Sequence, residues 1–318
     1  MLTPTETCPP TASPARRSCG TLARMSARIL DGKAIAAELR NQVSAQVAEF
    51  TVRCGPIRLY AVLVGSDPAA RLYAASQRRQ CLRAGVQHEL VELPDSTTQA
   101  ALLDTIDKLN ADPNVTGIML QLPLPASIDT AAAQYRIDPY KDVEGVNPAN
   151  IGFLFYDSPI IAPCTALAVV ELIERSGVAI RGAHAVVVGQ SRIVGRPVSM
   201  FLTTRMATVT GCHIATRDLR AHTRSADILV VAVGKPRLID ANAIKPGAVV
   251  IDVGINRIRE TRAGGAESSR TVGDVDFDSV ANVAGAITPV PGGVGPVTVA
   301  MLLRNTVEAA RKQQNRAL

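Results

Sequence analysis

The chain has 318 residues, net charge +6, 47% hydrophobic residues and a mean hydropathy of +0.15. That is enough apolar material for two α/β domains, and no uncharged run approaches the length of a membrane span. Aromatics are only 3%, and the basic residues are scattered with few aromatics among them, so a nucleic-acid surface is not expected. The six cysteines and four histidines show no metal-ligand spacing. Reduced thiols in a cytoplasmic protein are the expectation.

Residues 1–25 are rich in Pro, Ser, Thr and Arg and lack the apolar core of a secretory signal. They read as a disordered tail or a start codon placed too early, with Met25 a sensible first residue. Asp31 caps a helix expected over 32–50, with Ile35, Leu39, Val43 and Val47 on one face. Ile57 to Val64 reads as a strand ending at Gly65, and Pro68 opens a helix that Gly85 closes. A strand at 89–93, a helix at 97–110, a strand at 117–122 and a helix at 129–136 continue a βαβ series with a parallel sheet. Residues 138–160 lack periodicity, hold three prolines and read as an inter-domain connection. A helix over 164–175 follows and ends at Gly177.

Ala185-Val-Val-Val-Gly189 then reads as a buried strand stopped by a tight turn, with Pro197 opening a helix expected over 197–206. Strand, glycine turn and helix N-terminus together make an anion site, for which a dinucleotide pyrophosphate is the usual guest. The glycine fingerprint is incomplete: its three places hold Gly189, Ser191 and Val194, with Gly195 one later. Further elements are a strand at 208–212, a helix near 217–224, and strands at 228–233 and 249–253. Residues 257–270 read as a charged surface loop. Pro289-Val-Pro-Gly-Gly-Val-Gly-Pro296 is too rigid for a linker, and a final helix over 297–312 is expected to pack back on the first domain.

One ordered set of motifs spans nearly the whole chain: Val-Gly65-Ser-Asp-Pro-Ala, Tyr73, Gln121-Leu-Pro-Leu-Pro125, Lys141-Asp-Val-Glu-Gly145, Pro163-Cys-Thr165, the Gly189–Pro197 loop, Val-Ile-Asp252-Val-Gly-Ile-Asn256, Val-Gly273-Asp-Val and Thr288–Pro296. This set resembles the bifunctional methylenetetrahydrofolate dehydrogenase/cyclohydrolase family. The resemblance implies an α/β fold of two domains with a cleft between: residues 26–146 plus 296–318 as a folate domain and 147–295 as a Rossmann-like NAD(P) domain. It implies oxidation of methylenetetrahydrofolate with NADP or NAD, hydrolysis of the methenyl product, and a homodimer.

The resemblance also assigns roles. Tyr73 and position 77 share a helix face, where the family has tyrosine and a catalytic lysine; here position 77 is Gln. A glutamine amide cannot shuttle a proton near neutral pH. Gln121 orients that lysine and the folate in the family. Asp142 and Glu144 lie in a loop whose family acid, normally Asp at position 144, binds the pterin edge. Position 70, a serine in the family, is Ala. Pro291, Gly292 and Gly293 wall the cleft. Thr165, Gly189, Gln190, Ser191, Arg192, Ile214 and Ile255 resemble cofactor contacts, and no metal is implied. The strand ending at Cys212 leads into Cys212-His-Ile-Ala-Thr216 with no acid for a ribose diol, and Arg192 and Arg217 are candidates for a 2′-phosphate, so the cofactor is NADP or NAD, with NADP slightly favoured. The expected activity is a dehydrogenase with weak or absent cyclohydrolase. The alternatives are a non-catalytic folate- or nucleotide-binding paralogue, or an oxidoreductase for another pterin or a small hydroxy acid.

Overall fold

The computed structural model describes residues 26–261 and 267–317; the tail expected at 1–25 lies outside the described residues. The chain opens with a short strand, β1 (Arg28–Ile29), followed by α1 (Gly32–Cys54). Asp31 caps α1, its carboxylate accepting from Lys33 N at 2.9 Å and Ala34 N at 3.2 Å. Leu39, Val43 and Val47 recur at helical spacing and are buried. Then come β2 (Arg58–Val64), α2 (Pro68–Arg83), β3 (Gln87–Leu93), α3 (Gln99–Ala111), β4 (Gly117–Leu120) and α4 (Thr130–Arg136). β2, β3 and β4 form a parallel three-stranded sheet in the order β3-β2-β4.

Next come α5 (Pro148–Phe155), α6 (Cys164–Ser176), β5 (His184–Val188), α7 (Gly195–Thr204), β6 (Thr208–Cys212), α8 (Leu219–Thr223), β7 (Ile228–Val231) and β8 (Val249–Asp252). β9 (Asn256–Thr261), β10 (Glu267–Val272), α9 (Phe277–Val280), β11 (Ala286–Ile287) and α10 (Val294–Ala317) complete the chain. The larger sheet has six parallel strands in the order β1-β11-β8-β7-β5-β6. β7 and β8 are buried along their whole length, as strands covered by helices on both faces must be.

In each sheet the chain winds outward in one direction from a central strand, then returns to pair on its other side. β2 is flanked by β3 and β4; β5 is flanked by β6 and β7. Such a reversal leaves a crevice at the carboxyl ends of the strands, where ligands of α/β sheets bind. α10 packs along α1 and α6 and so ties the two sheets together; Val297, Ala300, Met301, Leu303 and Val307 are its buried stripe.

Three segments depart from the sequence expectation. Residues 257–270 were expected as a loop; β9 and β10 instead pair antiparallel from Asn256↔Val272 to Thr261↔Glu267. Both faces of the hairpin carry charged or polar side chains, so no alternation of apolar residues announces it. The connection at 138–160 contains α5, begun by Asn147, whose side chain accepts from Ala149 N at 2.8 Å, with Pro148 at the first helical position. α7 starts at Gly195, two residues before Pro197.

Candidate functional site: two facing crevices

The crevice of the small sheet is built from the ends of β2 and β4. Gly65 ends β2 at φ +96, and a Cβ there would meet Asp95 Oδ1 at 2.5 Å. Asp95 in turn accepts from Ser66 N at 3.2 Å and from Ser66 Oγ at 2.9 Å, which fixes the turn into α2. Tyr73 and Gln77 then lie one turn apart on α2. Tyr73 is 54% exposed at the crevice, whereas Gln77 is 3% exposed beneath it. Gln121, just past β4, is buried and donates through Nε2 to Gln77 Oε1 at 2.8 Å. Gln77 Nε2 donates to Met119 Sδ at 2.7 Å. The Gln77 amide is therefore held at both ends by neutral partners.

The 138–147 segment is folded around two buried charges. Lys141 donates to the carbonyls of Leu109, Asn110 and Asp112 at 3.0, 2.7 and 2.7 Å, closing the C-terminal end of α3, where cations are favoured. Asp142 is 1% exposed and accepts from Gly145 N, Asn147 N and Asn150 Nδ2 at 3.1, 2.7 and 2.9 Å. Its oxygens face the loop itself, so its visible work is to shape the turn that presents Glu144. Burial raises the Asp142 carboxyl even against those donors.

Glu144 is the half-buried acid of the crevice. Desolvation, then the neighbouring Asp142 charge, push its pKa to about 8, against one backbone N–H from Leu120. Tyr73 lies close enough to be affected: desolvation first and the Glu144 charge second raise its phenol. The loop is anchored from behind by a residue that the sequence reading missed. Asn305 on α10 donates to Val143 O at 2.9 Å and Ala162 O at 2.8 Å, and lies 3.3 Å from Cys164 Sγ. An amide set among the apolar residues of a buried helix stripe was the available signal.

The crevice of the large sheet follows β5. Gly189 adopts φ +101, and a Cβ there would lie 2.1 Å from Ala232 O; one on Gly195 would lie 1.8 Å from Gly189 O. The two glycines let the turn and the start of α7 touch backbone to backbone. Ser191 Oγ accepts from Val194 N at 3.2 Å, and no side chain caps α7. An uncapped helix start beside a Cβ-free turn fits a dinucleotide pyrophosphate. Gln190 folds over Gly211 and donates to Val187 O at 3.0 Å. Arg192 is exposed near the Tyr135 hydroxyl, and Ile214 is fully exposed beyond β6.

The crevices open into one cleft of about 600 Å³ between the sheets. Tyr73 enters it from α2, Thr165 from α6, Val194 from the nucleotide turn and Ile255 from the loop after β8. Gly295 and Pro296 line it too, while Pro291, Gly292 and Gly293 line an adjoining hollow of about 210 Å³ with Lys33 and Asp252. Asp252 receives Gly254 N, Asp274 N and Val275 N at 2.9, 3.0 and 2.9 Å. Burial lifts its carboxyl to about 6. Of the predicted contacts, Tyr73, Thr165 and Ile255 line this cleft and Pro291, Gly292 and Gly293 the adjoining hollow, whereas Arg192 lines a separate hollow with Tyr135. Among the described residues no cluster of His, Cys, Asp or Glu has the makings of a metal site.

A nucleotide-ready crevice facing an acid-bearing one, joined by a shared helix, defines a two-domain α/β oxidoreductase architecture. The chain belongs to the tetrahydrofolate dehydrogenase/cyclohydrolase family: the catalytic-domain model matches residues 30–144 and the NAD(P)-binding-domain model residues 163–314. It is 51% identical over 288 residues to the bifunctional protein FolD of Moorella thermoacetica, covering 91% of this chain and 100% of that one. It is 50% identical to bifunctional protein FolD 2 of Frankia alni, covering 90% and 97%. The structure superposes on the Trypanosoma brucei methylenetetrahydrofolate dehydrogenase-cyclohydrolase, solved with NADP and an inhibitor. That match has a TM-score of 0.83 and 40% identity, covering 91% of this chain and 98% of that one. The Campylobacter jejuni bifunctional enzyme gives a TM-score of 0.83 at 39% identity, covering 90% and 99%.

Proposed function

We propose that this protein is an NAD(P)-dependent 5,10-methylenetetrahydrofolate dehydrogenase whose cyclohydrolase step is weak or lost. The reading assigns residues 26–146 plus 296–318 to folate and 147–295 to the dinucleotide. When bound, the nicotinamide supplies the hydride acceptor. The Gly189–Ser191 turn and the start of α7 would hold its pyrophosphate. Thr165 and Ile255 would flank the ring. Glu144 would receive the N–H edge of a pterin; its carboxyl, raised while unpaired, would be drawn to the charged form by those donors. Tyr73 and the 291–293 loop would wall the substrate. Such positioning suffices for hydride transfer, because the substrate's own nitrogen provides the electron push.

Hydrolysis asks for more, since a proton must move between water and the bridge nitrogen. The observation that carries the proposal is the Gln77 amide, bonded to Gln121 and Met119, at the place where the family has its lysine. An amide there orients Gln121 but transfers no proton. Recording NAD(P)H formation and methenyl decay separately tests this: formylated product released as fast as reduced cofactor would refute it. The same assay run with both cofactors tests the preference for NADP, which is supported by exposed Arg217 in the loop after β6 and by the engagement of that loop's one acid, Asp218, as the cap of α8. The reading also makes the protein a cytoplasmic homodimer, to be checked by sedimentation. Among the described residues no helix is long and apolar enough to cross a membrane.

A further inference from the structure

α10 packs through an apolar stripe, yet two of its inward side chains are carboxamides, Asn305 and Gln313. Asn305 is 5% exposed. A buried amide costs stability unless its polar atoms are paired. Its Nδ2 is paired by spanning two loops, donating to Val143 O at 2.9 Å and to Ala162 O at 2.8 Å. Val143 immediately precedes Glu144, and Ala162 stands three residues before Thr165. Around this amide the two loops also touch each other. Cys164 N donates to Glu144 O at 3.3 Å, and Cys164 Sγ donates to Val143 O at 3.3 Å. A Cβ on Gly145 would lie 2.3 Å from the carbonyl carbon of Ala162. Gln313, eight residues further along α10, grips the start of the same segment. Its Nε2 donates to Tyr140 O at 2.9 Å and to Thr116 O, just ahead of β4, at 2.7 Å. The two amides are about 12 Å apart along the helix and hold the Glu144 segment at both ends.

We propose that Asn305 is a positioning residue for hydride transfer, with Gln313 in support. It fixes the separation between Glu144, the acid that faces the pterin, and Thr165, beside the nicotinamide. The inference rests on the dehydrogenase reading above and adds the part that aligns the two ligands. Hydride moves with its electron pair from the methylene carbon to nicotinamide C4, leaving a methenyl cation and the reduced cofactor. The rate therefore depends steeply on how closely those two carbons are held. On the division proposed above, Val143 belongs to the folate domain and Ala162 to the dinucleotide domain. One NH2 group bonded to both makes their spacing a property of a single side chain. Asn305 does not itself line the cleft, so it acts through the loops it joins. A residue that only filled the core would be apolar, as Met301 and Val307 are on the same helix.

The test is Asn305→Ala, assayed with methylenetetrahydrofolate carrying hydrogen or deuterium on the methylene carbon. kcat should fall about thirtyfold, within the range that a misplacement of about 1 Å allows. The deuterium isotope effect on kcat should rise as hydride transfer becomes the slow step. The Kd of NADP alone should not change, because the Gly189–Ser191 turn is untouched. In the unliganded variant, amide exchange at Gly145 and Cys164 should accelerate. Thr306→Val is the control: Thr306 is buried beside Asn305, and its hydroxyl donates to Leu302 O within the helix at 2.8 Å. That variant should lose stability and keep wild-type kinetics. Gln313→Leu, at the half-buried end of α10, covers the case in which Asn305→Ala does not fold. It should lower kcat about threefold, with the same rise in isotope effect. Wild-type kcat and isotope effect in Asn305→Ala, or in Gln313→Leu where the first variant does not fold, would overturn the assignment. An equal loss in Thr306→Val would also do so, because destabilisation alone would then account for it. A wild type that binds folate and cofactor but transfers no hydride sinks the dehydrogenase reading and the positioning role with it. Turnover indifferent to Asn305 sinks the positioning role alone.

Discussion

The two crevices are built by different means. On the β5 side the working parts are backbone: a turn at positive φ, a close approach of Gly195 to Gly189 and an uncapped helix start. On the β2–β4 side they are side chains: Tyr73, Gln77, Gln121 and Glu144. A backbone site tolerates an incomplete motif, since Ser191 and Val194 replace two fingerprint glycines without disturbing the turn. On the proposed reading a side-chain site would lose a reaction with one substitution, because neither hydrogen-bond partner of Gln77, Gln121 or Met119, is a group that both gives and takes a proton.

The sharpest way to break the contrast is to add one atom to the backbone site. Gly195→Ala places a Cβ 1.8 Å from Gly189 O. It should cost about 3 kcal/mol of stability and remove dinucleotide binding, read by thermal melting and by nucleotide titration. Next is Gln77→Lys, which should raise methenyltetrahydrofolate hydrolysis about a hundredfold, the ordinary scale of positioned acid–base catalysis. No gain would mean that Ala70 or Glu144 also blocks the step. Lys141→Met should leave three buried carbonyls at the end of α3 without their donor, lowering stability by about 2 kcal/mol in denaturant titrations.

The smallest effect is a pH dependence. Burial holds the proton on Glu144 up to about pH 8 in the folded chain, against about 4.5 for a carboxyl free in water. Across that window the folded state binds a proton that the unfolded state has released, so stability falls as pH rises. Glu144→Gln removes this loss. Its melting temperature should match the wild type near pH 4 and exceed it by a few degrees above pH 8. Asp252, raised to about 6, slopes the same way in both proteins and cancels from the difference. A gap that is constant with pH would show that Glu144 stays ionised throughout.

Much of the fold was legible because local rules and burial agreed. The caps at Asp31 and Gly177, the proline start of α2 and the apolar runs of β5, β7 and β8 each point to the element that forms. β1 and β11, two residues each, carry no period to read; they exist only because the edge of a larger sheet supplies their partners. The hairpin of β9 and β10 was hidden for the related reason that neither face is apolar.

Sequence by itself determined the family, the two α/β units and a glutamine, which carries no proton near neutral pH, at position 77. Those depend on residue identity and order, which a chain displays without folding. Only the tertiary structure decided that Lys141 and Asp142 face inward to hold a loop, and that Asn305 and Gln313 reach across from the last helix to brace it. Charge, unlike an apolar stripe, has no periodicity that reveals its partner; where a charged side chain points is settled by what the fold brings within its reach.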